Sequence, residues 1–96
     1  MKYQVRIAAG AAREIAKLPQ HVVARILDVI DELADDPRPP GVKTIKGIAD
    51  CHRVRSGAYR IVYTIQDNVL KVGVVTVGHR SEVYKGLRGK VRRGVQ

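Results

Sequence analysis

Cysteine is almost missing from this chain of 96 residues. Cys51 is the only one, so no internal disulfide can form, and a structural zinc site would lack its ligands. A buried structural thiol is its expected role, and neither a metal nor a cofactor is expected. Long apolar runs are missing as well. A helix crosses a bilayer only with about 20 consecutive apolar residues, and the opening MKYQVRIAAG carries Lys2 and Arg6 without the continuous apolar core of a leader. A cytosolic protein with no membrane partner is the expectation. Acidic residues are scarce in one part only. Residues 1–37 hold 5 basic and 6 acidic groups and residues 38–96 hold 13 and 3, so the total of +9 divides into −1 and +10. Such segregation suggests a nucleic-acid or acidic protein partner, against the plainer alternative of a solvated basic surface.

With 45% hydrophobic residues, a chain of this length makes one domain around one modest core. Tyr3, Val5 and Ile7 alternate with Gln4 and Arg6, the period of a half-buried strand over residues 2–8. Ala8, Ala11, Ala12, Ile15 and Leu18 then recur at helical spacing. After Pro19, which suits a first helical turn, Val22, Val23, Ile26, Leu27, Ile30 and Leu33 make a second stripe. The helical hairpin ends at Asp36-Pro37-Arg38-Pro39-Pro40-Gly41, because residues before proline are pushed out of the helical region. From Lys43 the pattern becomes β, with strands predicted at 51–55, 58–66 and 69–77 in an antiparallel meander. The expected fold class is α+β, the N-terminal strand and helical hairpin packed on an antiparallel sheet of about four strands.

Arginines alternate with apolar residues along those strands instead of gathering in a tail. Two-residue turns at Ser56-Gly57 and Asp67-Asn68 would set Arg53 across from Arg60, Val62 across from Gly73 and Arg60 across from Val75. On that register Val54, Tyr59, Ile61, Tyr63, Ile65, Leu70, Val72 and Val74 face the helices, while Arg53, Arg55, Arg60, Lys71 and Gly73 share an open face. Like charges directly opposite on a sheet destabilise it, and an anion bound between them would remove the conflict. Beyond Gly78 stands His79-Arg80-Ser81-Glu82-Val83-Tyr84-Lys85. His79 has the chemistry of a general base, or of a histidine hydrogen-bonded at a strand end. Tyr84 suits stacking on a base or hydrogen bonding to phosphate, or equally a place at the sheet edge.

The order of strand, helical hairpin closing on Lys17-Leu18-Pro19, breaker Asp36-Pro37-Arg38, Lys46-Gly47 turn, HRVRSGAYRIVYTI and VVTVGHRSEVYK resembles the RelE/ParE superfamily of toxins from type II toxin–antitoxin pairs. The likeness covers residues 2–86. It implies a RelE-like, microbial-RNase-like fold, with all of 1–96 one toxin domain and residues 87–96 a short basic helix or mobile tail. Gly86, Gly89 and Gly94 count against the helix. The RelE branch implies a ribosome-dependent endoribonuclease that inhibits translation by cutting mRNA in the A site. There the 2′-hydroxyl attacks the adjacent phosphate. The resemblance matches Arg60 and Arg80 to arginines that stabilise transition-state charge, Tyr84 to the SEVY tyrosine, and Arg53 and Arg55 to two lysine positions used in binding and acid/base work. Arginine stays protonated and is no base, so His79 or the ribosome would take that part. Lys43, Lys46, Lys71 and Lys85 are the expected RNA-backbone contacts. The alternatives are a ParE-like inhibitor of DNA gyrase without nuclease activity, or an inactive partner-binding relative. The family also implies an antitoxin with an acidic segment wrapped over the toxin, able to displace the C-terminal segment.

Overall fold

Strand alternation and helical spacing become elements in the predicted order. The computed structural model describes residues 2–94, apart from the side chains of Arg80 and Ser81. Gln4–Ile7 forms β1, Ala9–Ala16 α1 and Gln20–Glu32 α2. Pro19 is the residue just before α2 and not part of its first turn. Ala11 and Ile15 of α1, Ile26 and Ile30 of α2, and Leu33 just after it are buried on one side of the sheet. Lys43–Thr44 is β2, Cys51–Ser56 β3, Tyr59–Gln66 β4, Lys71–His79 β5 and Leu87–Gly94 α3, with single 3-10 turns at Asp67–Val69 and Arg80–Tyr84.

The sheet has five strands in the order β1-β5-β4-β3-β2. Its fifth member is the two-residue edge strand β2. All neighbours are antiparallel except β1 with β5. Val54, Ile61, Tyr63, Ile65, Val72 and Val74 meet the helices as predicted, with Tyr59 partly buried beside them. Leu70 does not join them. It is half-buried with a left-handed backbone (φ 53°), closing the turn after Asp67–Val69.

Both predicted turns are displaced. Ser56 pairs with Tyr59, so the hairpin turns at Gly57 and Ala58. Gly57 at φ 60° occupies the first central position that a primed hairpin turn reserves for glycine. This moves each pairing by two residues, so Arg55 faces Arg60 and Arg53 faces Val62. At the other turn Gln66 pairs with Lys71, leaving four residues to turn the chain. The β4–β5 ladder then slips at Val62/Tyr63, so that Val62 faces Thr76, Arg60 faces Gly78, and Gly73 faces Thr64. A bulge of this kind places an extra residue, here Val75, on one strand.

The second sheet face is not open as expected. Cys51, Val62 and Val75 are covered there by Val83 and Leu87, with Ile45, Ile48, Tyr84 and Val91 packed around them. That apolar contact explains why residues 87–94 are helical despite three nearby glycines. Beyond β1, which reaches only Val74, the edge of β5 is closed by Glu14 of α1. Its carboxylate accepts hydrogen bonds from the Val77 N–H (3.1 Å) and the Thr76 hydroxyl (2.9 Å), and Lys90 Nζ of α3 lies 3.6 Å away. Among the described residues no helix is long and apolar enough to cross a membrane.

Candidate functional site

Alternation along β3 sends Cys51, Arg53 and Arg55 to the face opposite the helices, and pairing sets Lys43 of β2 against Arg53 and Arg60 of β4 against Arg55. Two like-charged cross-strand pairs therefore stand side by side. The predicted conflict is present, but between Arg55 and Arg60 and between Lys43 and Arg53. Among the described residues the ion pairs are Lys2–Asp35, Arg38–Asp67 and Lys90–Glu14, none of which involves these cations. Arg55 and Lys43 are exposed, and Arg53 and Arg60 are half-buried. The Arg53 Nη1 atom is buried and has no acceptor among the described residues. A buried guanidinium nitrogen normally has its hydrogen bonds satisfied, so this one stands out as an exception.

Tyr84 borders the group at the end of its 3-10 turn. Arg60 Nη1 donates to its hydroxyl at 3.3 Å, and the guanidinium carbon stands 5.8 Å from the ring centroid. The tyrosine thus holds Arg60 in place and also packs against the second core cluster, joining the two roles open to it in the sequence. Lys46 extends the positive surface, lining a cleft of about 420 Å³ with Ile45, Ile48, Tyr84, Leu87 and Arg88. The apolar walls of that cleft and Arg88 were not legible beforehand. The Lys46-Gly47 turn was the only signal near them.

Other predicted residues lie elsewhere. The His79 ring stands edge-on to Tyr59, with centroids 5.4 Å apart, and it pairs with Tyr59 on the helix side of the sheet. It is therefore turned away from the arginines, because the corrected register puts position 79 on the opposite face from position 60. Lys85 shares a cavity of about 570 Å³ with His79, Lys17 and Lys90, and among the described residues no arginine lines it. Lys71 sits at the far end of β5 with Gln4 and Arg6. The Arg80 side chain lies outside the described residues.

The buried Cys51 thiol is pushed up to about 11 by desolvation, as an inert structural thiol should be. His52, also buried, stacks on Tyr63 at 5.9 Å, and desolvation lowers its pKa. At the opposite end of the sheet, Arg38 donates to both oxygens of Asp67 (3.1 and 2.9 Å) and Tyr3 donates a third hydrogen bond.

Comparison with known proteins agrees with this geometry. The family model described as the ParE toxin of the type II toxin–antitoxin system parDE matches residues 5–84. The chain is 34% identical over 88 residues to the mRNA interferase toxin RelE of Escherichia coli K12, covering 88% of this chain and 92% of that one. It is 32% identical over 84 residues to toxin RelE of Mycobacterium tuberculosis, covering 86% and 87%. Among solved structures, the RelE–RelB complex of Pyrococcus horikoshii superposes with a TM-score of 0.75 at 26% identity, over 84% of this chain and 98% of that one. The RelBE2 toxin–antitoxin complex of M. tuberculosis gives 0.74 at 29% identity, over 83% and 100%. By the family match, these relatives and the shared fold, the chain belongs to the RelE/ParE superfamily of toxins.

Proposed function

We propose that this protein is a RelE-type toxin that cuts mRNA in the ribosomal A site and so inhibits translation in the cytoplasm. The observation carrying the proposal is the unpaired cation group Lys43, Arg53, Arg55 and Arg60 beside Tyr84. In the reaction the 2′-oxygen forms a bond to the adjacent phosphorus while the bond to the 5′-oxygen breaks, leaving a cyclic phosphate and a free 5′-hydroxyl. Negative charge grows on the non-bridging oxygens, and fixed guanidinium groups aimed there lower the barrier without reorganising. Arg55 and Arg60 suit this task, with Tyr84 orienting Arg60 and offering its ring to a base. By family resemblance Arg80 adds a further positive group. Neither Arg53 nor Arg55 can take the 2′-hydroxyl proton, and His79 points to the other face. The base and the acid for the leaving oxygen therefore belong to the ribosome. Lys43 and Lys46 contact the RNA backbone. Lys71, beside Gln4 and Arg6, and Lys85, which lines the cavity with His79, are not assigned to that path.

The whole of 1–96 acts as one toxin unit. Relatives are seen in complex with RelB antitoxins, and an acidic antitoxin segment over the +10 portion is the corresponding partner here. A second reading, inhibition of DNA gyrase without nuclease activity, draws on the ParE description of the matching family. Primer extension on mRNA from cells shortly after induction, run beside a gyrase cleavage assay with purified chain, separates the two. Cuts within translated codons that vanish when translation of that message is blocked are expected. Intact mRNA with trapped gyrase–DNA breaks would transfer the function to gyrase.

A further inference from the structure

We infer that Gly78 is a positioning residue for the cutting reaction: its missing side chain lets the Arg80–Tyr84 turn settle on the sheet at the depth where Tyr84 holds Arg60. The inference rests on the RNA-cleaving reading and adds what sets the geometry of its charged group.

The pairing of β4 and β5 puts Gly78 directly across from Arg60, on the face opposite the helices. The strand ends at His79, and the 3-10 turn Arg80–Tyr84 follows at once. Val83 of that turn takes the place a side chain at 78 would fill. A Cβ there would stand 3.1 Å from Val83 Cγ1, inside the roughly 3.5–4.0 Å at which carbon atoms pack. Gly78 is not one of the glycines with a left-handed backbone, and glycine weakens a strand interior. Neither conformation nor strand stability asks for glycine here; room for Val83 does.

Val83 cannot absorb the contact itself. It is 1% exposed, enclosed with Cys51, Val62, Val75 and Leu87, and a valine side chain has one stiff torsion. Relief therefore comes from lifting the turn by about 0.4 Å. Tyr84 rises with Val83, because one 3-10 turn carries both, closed by the Lys85 N–H donating to the Glu82 carbonyl at 3.3 Å. The contact that then fails is already long. Arg60 Nη1 donates to the Tyr84 hydroxyl at 3.3 Å, and a separation near 3.6 Å is no longer a hydrogen bond. One methyl group at position 78 thus frees the Arg60 guanidinium, although among the described residues no cation of the site lies within 4 Å of that Cβ.

The test uses purified chains and ribosomes programmed with a defined message, with the Arg60 guanidinium followed by NMR. A misplacement of 1 Å costs about 10²-fold, so Gly78→Ala should lower the turnover of cutting by about tenfold. The ribosome concentration at half-maximal rate should change by about twofold or less, since the loss is one of alignment and not of uniform binding. Val83→Ala added to that variant deletes Cγ1 and should bring the rate back to within about threefold of native, even though the lost methyls lower the melting temperature. In a Tyr84→Phe background Gly78→Ala should cost about twofold or less, because both changes act on one hydrogen bond. The Arg60 Nη–H signals, distinct in the native chain, should average in Gly78→Ala and separate again when Val83→Ala is added. Equal losses with Tyr84 and with Phe at that position would overturn the inference. So would a loss that follows the melting temperature and is not rescued by Val83→Ala, or native turnover in Gly78→Ala. Failure of Gly78→Ala to fold, with and without Val83→Ala, would make the glycine structural and overturn it too. A message left uncut by the native chain would overturn the RNA-cleaving reading, and the part of Gly78 in that reaction with it, whatever the Arg60 signals show.

Discussion

Arg55 and Arg60 face one another across β3 and β4 with no carboxylate among the described residues ion-paired to either, which makes them a cost to the fold unless an anion is bound. A directly opposed like-charged pair costs several tenths of a kcal/mol up to about 1, and in a domain this small 1 kcal/mol moves the melting temperature by roughly 4–8 °C. Arg55→Thr, which keeps strand preference and removes the charge, should therefore melt about 1–8 °C above the native chain at low ionic strength. Inorganic phosphate should raise the native midpoint more than the variant's. Message cutting by the variant should fall by about 10²-fold, the usual loss when one donor to a developing oxyanion is removed. A variant that melts several degrees lower would show Arg55 to be a structural residue. Arg53 differs from its neighbour because its orphan nitrogen is buried, so its charge is screened less by salt.

At the scale of elements, Glu14 of α1 closes the free edge of β5 and anchors α3 through Lys90. Glu14→Gln keeps an acceptor for the Val77 N–H and loses only a part-exposed ion pair, worth about 0.2–1 kcal/mol. Glu14→Ala strands that buried N–H at a cost of about 1–3 kcal/mol. Urea unfolding should rank the alanine variant clearly below the glutamine one, and hydrogen exchange should show α3 amides loosening in both. Equal stability of the two would mean that the edge needs no cap. These ties join elements distant in sequence, which is why periodicity did not reveal them. Alternation assigned Val54, Ile61, Tyr63, Ile65, Val72 and Val74 to the core correctly, because one face of each strand had to be apolar. It gave no purchase on the turn at Gly57, since Ser56-Gly57 and Gly57-Ala58 are both plausible pairs, and the choice decides which arginine meets Arg60. Nor could it foresee the bulge that displaces Val75, or the apolar cover over the second face. The helix at 87–94 was obscured because glycine lowers helix propensity locally while Leu87 and Val91 gain stability only against residues far away. The resemblance placed Tyr84 beside the arginines; it could not tell that position 79 points the other way.

The molecule as a whole holds two acid-sensitive groups near the helix-bearing face, away from the cation site, and they titrate in separate windows. His52 is buried against Tyr63, so desolvation holds its pKa below 6.5. Arg38 lowers it further, while the hydrogen bond to the Asp50 carbonyl and the charges of Asp50 and Asp67 work against the shift. The native state thus prefers the neutral ring. Its contribution is complete above pH 6.5 and is lost as pH falls through the lower folded value, because the unfolded chain binds the proton first. Asp67 behaves in the same sense at lower pH. Hydrogen bonds from Arg38 and then Tyr3 hold its carboxyl down to about 2 against an ordinary 3.8, so its stabilisation is present above 3.8 and vanishes towards 2. Melting temperature should accordingly fall in two stages on acidification, the first beginning below about pH 6.5 and the second below 3.8. His52→Phe, which preserves a ring for Tyr63, should flatten the first stage and leave the second. Asp67→Asn should remove the second and leave most of the first, lowering stability at neutral pH because Arg38 loses its charged partner. A single acid transition unchanged by His52→Phe would mean that the buried imidazole is not what the fold protects from protons.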